Sequence, residues 1–498
     1  MKLNALFLSQ HFHPMKSFAT ALFILVNSLA FAQFNRLDPT SKSAIENMIT
    51  DQKTDQKMVG LSVGIIRDGE ISYLKGFGFQ DSANQIAATE HTLYRLASVS
   101  KSITGLMAMR LIEKDLLDLD KDIRDYVPEY PVKPEGTITS EHLLSNESGI
   151  IHYSGSGSMC NQAYNITALN SYVESHQSTY DPIKALDIFK DQKICFKPGD
   201  HYQYTTWGFC LMGAVIQRAA KSSFENVLYD EIICPLKLPT LQIEYPLFRP
   251  YVNEAVGYEK SNGSVQGVDT NTIDYRNISY KVPGGGLISS VIDLTLLMKG
   301  VVNRELISDE MLKLFGTRHI PEDGEPSYYG YGTSSNFRNG DTLFWHSGSQ
   351  NGTATLIYYS PENKNGVALM CNTQNVSLFP LARLIYDYLP NSNLQGEGYL
   401  NNTAQARCNT GNSITHLTNY FSLFPNPSNG AISVQMTEDI GSVKMTLIDL
   451  QGKTVLYKYL SFAPSQEVEL NLNPGTYQVL FQLDATVIHQ QHIILPLK

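Results

Sequence analysis

Between residues 41 and 395 the hydrophobic pattern switches repeatedly between helical and strand periods. Residues 44–57 read as a first helix, and residues 59–66 and 71–79 as two strands joined at the tight-turn dipeptide Asp68-Gly69. Residues 98–117 predict a helix with Ile103, Leu106, Met107 and Ile112 on one face. Residues 204–220 open another. A further helix is expected from Ser289, where Ser290 and Asp293 stand at capping-box spacing. Residues 342–345, 353–359 and 367–371 form a three-strand meander that turns at a Gly/Asn-rich stretch and at Asn365-Gly366, and the helix 379–389 closes the unit. The whole reads as an α+β enzyme, an α/β sandwich whose first and last helices flank a sheet with strands from both ends of the segment.

After Pro390 the pattern changes. Residues 391–413 are rich in Asn, Gln, Gly and Thr, lack apolar periodicity, and read as linker. From Asn419 only strand-length alternating runs occur, among them 443–448, 468–472 and 477–483, as in a small β-sandwich. At the other end Lys16 precedes an apolar run over 18–31, and Ala30-Phe31-Ala32 supplies a small-x-small cleavage pattern. That run is too short to span a bilayer comfortably, so it reads as an export signal, with Met15 an alternative start. No later run spans, and the mature chain is expected outside the cytoplasm without a transmembrane segment. The expected organisation is signal peptide 1–32, α+β domain 41–390, linker 391–418 and β-sandwich 419–498.

Composition narrows the function classes. In 498 residues, 38 Lys and Arg face 48 Asp and Glu, a formal charge of −10, and no basic stripe is available for nucleic acid. Only 17 % of residues are charged and 10 % are aromatic, which argues against disorder, and the length allows about two to four domains. Six cysteines without a CxxC pair indicate neither a disulfide scaffold nor a zinc ribbon. Cys160 and Cys195 flank an apparent insertion; in an oxidising compartment they close it, otherwise they are buried thiols. His142, His152 and His201 show no metal-ligand spacing with neighbouring acids, so no metal and no cofactor is assigned.

Chemistry enters at Ser98-Val99-Ser100-Lys101. On a helix, residues three apart share a face, so the Lys101 amine lies beside the Ser98 hydroxyl. A serine needs a base to become a nucleophile, and a lysine desolvated by an apolar pocket serves, because burial disfavours its charged form. A helix N-terminus at Ser98 adds N–H groups for a developing oxyanion. A second Ser-x-x-Lys, Ser72 to Lys75, falls in a predicted strand, where the two side chains point to opposite faces.

Three further stations follow in order: Tyr204-Thr205-Thr206 after Pro198-Gly199-Asp200, Gly284-Gly285-Gly286-Leu287, and His346-Ser347-Gly348. With the loop 143–149 (Leu-Leu-Ser-Asn-Glu-Ser-Gly), the set resembles the serine β-lactamase and penicillin-binding protein family, nearest its class C branch and the related esterases and D-peptidases, over roughly residues 41–390. The resemblance implies a β-lactamase/transpeptidase-like fold, an antiparallel sheet flanked by helices with an all-helical subdomain. It implies Ser98 as acylated nucleophile, Lys101 as its proton partner and Tyr204 as proton shuttle. The Ser98 and Ser349 N–H groups would form the oxyanion hole, with Thr206, His346 and Gly348 beside the substrate.

Two positions depart from the family pattern. Thr206 stands where Asn is usual and offers a shorter hydroxyl, and His346 replaces a Lys that carries a fixed charge. Both resemble the non-lactamase branches, including the mitochondrial β-lactamase-like serine protease. Activity is expected to follow His346 titration. The implied function is hydrolysis of a small-molecule or peptide ester or amide. The alternative is a silent or slowly deacylating surface binding protein that keeps the fold.

The tail carries Phe424-Pro425-Asn426-Pro427, then Asp449-Leu450-Gln451-Gly452, then Asn473-Pro474-Gly475. It resembles the C-terminal sorting domain of the type IX secretion system, which implies engagement of outer-membrane export machinery and a secreted or cell-surface protein.

Overall fold

The computed structural model describes residues 34–399 except 154–158, 161, 247–248, 252 and 326, and between 421 and 495 seven strands with a few adjoining residues. The expected leader 1–32, residues 400–418 of the expected linker, residues 154–158 and the tail segments 425–430 and 449–452 lie outside the described residues.

The first helix, α1 (Pro39–Gln56), starts earlier than its hydrophobic pattern. Asp38 Oδ1 accepts the Thr40 and Ser41 N–H groups at 3.0 and 3.1 Å, and Pro39 supplies the φ of the first turn. The strands β1 (Gly60–Arg67) and β2 (Glu70–Asp81) form the expected hairpin, with Asp68 and Gly69 both at positive φ. Next come β3 (Leu93–Arg95), the helices α2 (Val99–Glu113) and α3 (Thr206–Ala220), then β4 (Leu287–Ser290) and α4 (Val291–Val302). The second half adds β5 (Ser334–Arg338), the meander β6 (Asp341–Gln350), β7 (Thr353–Ser360) and β8 (Asn365–Cys371), and the closing helix α5 (Phe379–Tyr388).

One antiparallel sheet organises these elements in the order Phe34–Asn35, β2, β1, β8, β7, β6, β5. Strands from the two ends of the segment therefore meet at its centre, where Leu61 faces Cys371 and Ile65 faces Val367. On one face α1 and α5 share a core in which Ile45, Ile49, Leu381 and Ile385 lie against Val63 and Leu369. The other face carries α4 and, beyond it, the helical region built on α2 and α3.

Several expectations are corrected here. The α2 helix has no polar face. It is buried from Val99 to Met109 and ends at Glu113, because it runs through the middle of the domain. The helix expected from Ser289 begins at Val291 with Ser290 at its N-cap, and residues 287–290 ahead of it form a strand. Ser290 makes no side-chain cap, and Asp293 Oδ2 instead accepts the Thr240 and Leu241 N–H groups at 2.7 and 2.6 Å. The region between β3 and β4 is mostly helical but includes the short strands Gln242–Ile243, Tyr258–Ser261 and Ser264–Gly267. Residues 391–395 are hydrogen-bonded back to the start of the domain, Asp38 N–H to Asn393 O and Gln395 N–H to Arg36 O.

In the tail, a three-stranded and a four-stranded antiparallel sheet share one core containing Ile432 and Val434 of one sheet and Val443, Val479 and Phe481 of the other. The strands Val443–Ile448 and Gly475–Leu483 match the alternating runs, while the run at 468–472 is a strand over Gln466–Glu469. Among the described residues no helix is long and apolar enough to cross a membrane.

Candidate active site

Ser98 sits at the N-cap of α2, where the chain turns out of the short strand β3. The turn is sharp. Ala97, a residue with a Cβ, is held at φ +46°, a conformation that persists only when the surroundings over-determine it. Those surroundings are backbone clamps: Leu96 N–H donates to Leu287 O at 2.8 Å, and the Leu96 carbonyl accepts the Thr355 hydroxyl at 2.7 Å. Gly348 on β6 packs directly behind, where an added Cβ would collide with Leu96 O and Thr355 Oγ1. The glycine is what lets β6 approach Ala97 and Ser98.

Lys101, one turn into α2, is fully buried. Its Nζ lies 3.2 Å from Ser98 Oγ, 3.2 Å from Thr206 Oγ1 and 2.6 Å from Gly284 O, with the Tyr204 ring centroid at 4.7 Å. Gly284 is required for that carbonyl contact, since a Cβ there would stand 2.6 Å from Thr206 Cγ2. Burial pushes the Lys101 ammonium down to about 7. A neutral amine has two N–H donors and one lone pair. The Gly284 carbonyl and the Thr206 hydroxyl can take the donors, which leaves the lone pair for the Ser98 O–H.

Tyr204 is not in helix α3 but just ahead of it, since Thr205 is the N-cap and accepts Gly208 N–H. Both neighbours of Tyr204 are tied to Asn146: Gln203 N–H donates to its carbonyl at 2.8 Å and Thr205 N–H to its Oδ1 at 2.9 Å. Burial raises the Tyr204 phenol above its ordinary range, although a hydrogen bond with Ser98 pulls it back. It stays protonated at neutral pH.

His346 faces the same cavity from β6 with both ring nitrogens occupied. Nδ1–H donates to Ser347 O at 2.8 Å, and Nε2 accepts the Tyr329 hydroxyl at 2.8 Å. Burial, reinforced by the Lys101 charge, pushes it down to about 3. It is a neutral wall residue across the neutral range, so the expectation that its titration governs activity is corrected by its desolvation.

These groups open on one cavity of about 520 Å³, lined among others by Ser98, Tyr204, Thr206, His346 and Ser349. The strand β6 continues past the His-Ser-Gly station to Gln350, and Ser349 pairs with Ala354 of β7. Ser98, Lys101, Tyr204, Thr206, His346 and Ser349 are thus brought together, with Gly348 in the backing.

A family model described as Beta-lactamase matches residues 45–389, and a second, described as Secretion system C-terminal sorting domain, matches residues 422–495. The chain belongs to the beta-lactamase family. Protein flp of Staphylococcus aureus (strain MW2) is 24 % identical over 345 residues, 68 % of this chain and 64 % of its own. The human mitochondrial serine beta-lactamase-like protein LACTB is 27 % identical over 290 residues, 47 % of this chain and 52 % of its own. The chain thus spans less than two thirds of the length of these relatives. The octameric penicillin-binding protein homologue from Pyrococcus abyssi has the same fold, with a TM-score of 0.58 at 20 % identity, covering 91 % of this chain and 99 % of that one.

Within this beta-lactamase family domain, sequence reasoning missed three residues of the site. His152 lines the cavity, accepts the Thr206 N–H on Nδ1 at 3.2 Å and meets the Tyr204 ring edge-on at 5.8 Å. Burial pushes it down to about 4. Tyr329 fixes His346. Asn146, in the loop singled out only for its likeness to the family, anchors both sides of Tyr204. The usable signal was that loop. Cys160 and Cys195 are paired, and Cys195 N–H donates to Gly149 O at 2.6 Å. The disulfide therefore fastens the segment after His152 and Tyr153 to the one leading into Tyr204. Cys210 and Cys371 are buried thiols.

Proposed function

We propose that this beta-lactamase family chain is an exported serine hydrolase that cleaves an ester or amide through an acyl-enzyme on Ser98. One observation carries the reading: the buried Lys101 amine lies 3.2 Å from Ser98 Oγ in a setting that leaves much of it unprotonated at pH 7. Ser98 Oγ attacks the carbonyl carbon while its proton passes to Lys101. Negative charge on the carbonyl oxygen is held between the Ser98 and Ser349 N–H groups. When the bond to the leaving group breaks, its oxygen or nitrogen takes a proton through the Tyr204 phenol, supplied in turn by the Lys101 ammonium. Water then repeats the sequence, breaks the Ser98 ester and releases the acid. Thr206 holds Lys101 through its hydroxyl, the role open to it in place of the amide usual at this station.

Fluorophosphonate labelling of the pure protein tests this. A single adduct on Ser98 that disappears in Ser98→Ala is expected, together with turnover of simple esters. Absence of label would leave the fold as a binding scaffold, and label without turnover would mark a slow deacylator.

We further propose the organisation 1–32 signal peptide, 41–390 hydrolase domain, 391–418 linker and 419–498 sorting domain of the type IX system. The secretion sorting match over 422–495 supports it. Removal of 419–498 is expected to trap active hydrolase inside the outer membrane. Continued appearance at the surface would refute the assignment.

A further inference from the structure

Outside the cavity, two carboxylates meet across one histidine at the loops that hold the site's tyrosines. Glu147 directly follows Asn146. It is 5 % exposed, and its Oε1 has no hydrogen-bond partner among the described residues. His319 Nδ1 stands 3.9 Å from that oxygen and 3.8 Å from Oε1 of Glu141, on the short helix Ser140–Leu144. The Tyr331 hydroxyl donates to Glu141 Oε1 at 2.7 Å, and its ring centroid lies 4.5 Å from that of His319.

The backbone ties this group to the site from two sides. Asn146 anchors both neighbours of Tyr204, and the Glu147 carbonyl accepts Gly199 N–H at 2.9 Å. On the other side His319 N–H donates at 3.1 Å to the carbonyl of Tyr329, whose hydroxyl fixes His346. The two sides also meet directly, because Glu322 N–H and Asp323 N–H donate to Gly199 O and Asp200 O at 2.9 and 3.1 Å.

Charge does not balance with both carboxylates ionised. Among the described residues neither Glu141 nor Glu147 pairs with a lysine or arginine, and Lys197 nearby is taken by Asp200 and Glu322. The remaining titratable groups around them are His142, Asp120 and the pair His201–Asp323. Burial holds His142 and His319 below the ordinary imidazole range, so neither supplies a fixed positive charge. A buried carboxyl that lacks a donor and faces a second carboxylate costs least as the neutral acid. Burial, with Glu141 and Asp323 adding to it, pushes Glu147 up to about 7.

We propose that Glu147 is a positioning residue that works as the neutral acid, letting the Asn146 loop and the His319 segment close on each other and so keeping Tyr204 and Tyr329 in place at the cavity. When its proton leaves, two carboxylates oppose each other across His319 with no cation between them, and their repulsion drives the two segments apart. Tyr204 and Tyr329 then shift together, since one hangs from each side. The kinetic consequence rests on the proposed Ser98 chemistry, and the positional one does not.

The positional test incorporates fluorotyrosine into the full chain and follows fluorine NMR across the neutral pH range, with the Tyr204 and Tyr329 signals assigned from their Phe variants. Both signals should move with a midpoint near the Glu147 value of about 7 and stand still in Glu147→Gln, which keeps the shape of the neutral acid. Glu141→Gln gives a second reading. It removes the facing charge, so the midpoint should fall to lower pH. The kinetic test follows ester hydrolysis by parent and Glu147→Gln. The climb set by Lys101 should be the same in both, while the level reached above it should be about tenfold higher in the variant, the cost of roughly half an ångström of misplacement. Lost packing alone would lower that level instead. Tyrosine signals that titrate alike in parent and Glu147→Gln, a Glu141→Gln midpoint that stays or rises, or equal rates at the upper level overturn the inference. Signals that respond as expected in a protein that turns over no ester uphold the positioning role, and only the hydrolase reading fails.

Discussion

The chain contains two Ser-x-x-Lys sequences, and the structure treats them in opposite ways. Ser72 and Lys75 lie on strand β2, where Ser72 Oγ turns inward to the Ile65 carbonyl at 3.2 Å and Lys75 reaches across to Glu46 at 2.9 Å. Ser98 and Lys101 lie at the start of α2 with Oγ and Nζ 3.2 Å apart. The spacing is the same and the period differs. A strand sends residues three apart to opposite faces, a helix to one. Solvent completes the contrast: Lys75 keeps a carboxylate partner and partial exposure, while Lys101 is wholly buried with only neutral oxygens around it. The first lysine is held by a carboxylate; the second is the base of the proposed mechanism.

The strongest way to break this comparison is to remove the paired groups. Ser98→Ala or Lys101→Met is expected to lower kcat/KM by at least about a thousandfold, since members of a nucleophile–base unit fail together. Steady-state ester kinetics would read it, and a Lys101→Met enzyme within tenfold of the parent would remove Lys101 as the base.

Backbone approach should matter next. In Gly348→Ala the new methyl meets Leu96 O and Thr355 Oγ1, which pushes β6 away from Ser98. A displacement near ~1 Å costs about a hundredfold in rate. Loss of melting temperature without loss of rate would show that the glycine serves packing alone.

The pH profile sharpens the contrast between the two lysines. Lys101 acts as a base only when neutral, so log kcat/KM should climb with a slope of about one on the acid side and level off near its value of about 7. His346 is neutral throughout, so His346→Gln should lower the rate by about tenfold through lost positioning while leaving the inflection in place. An inflection that moved with His346 would return the titrating role to the histidine.

The smallest effect belongs to the other copy. Lys75→Met loses one partly exposed ion pair with Glu46, worth at most about 1 kcal/mol, and should leave kcat/KM within about twofold. Chemical denaturation together with ester kinetics would separate the two. A large loss of activity would tie β2 to the site in a way its geometry gives no reason to expect.

Much of the fold and of the site is legible in the sequence. The β1–β2 hairpin follows from Asp68-Gly69, the meander from alternation, and the family from four stations in order; the second meander turn falls on residues 361–364 and not on Asn365-Gly366, which already pair with Ser360 and Tyr359 as part of β8. The α2 helix misleads because a segment buried all round has no amphipathic period to read. Ser290 and Asp293 mislead because a motif of local sequence is satisfied from a distance, by Thr240 and Leu241. His152 and Tyr329 leave no local trace, since their roles consist of contacts with Thr206 and His346 far along the chain.

The sequence by itself determined which residue types meet one turn apart at Ser98 and Lys101, where the elements begin and turn, and which family the chain resembles, because these depend on neighbours within a few positions. Only the tertiary structure decided that Lys101 loses its water and that His346 keeps both nitrogens occupied and uncharged. Protonation depends on burial and on charges brought in from distant segments, and neither is a property of any stretch of chain taken alone.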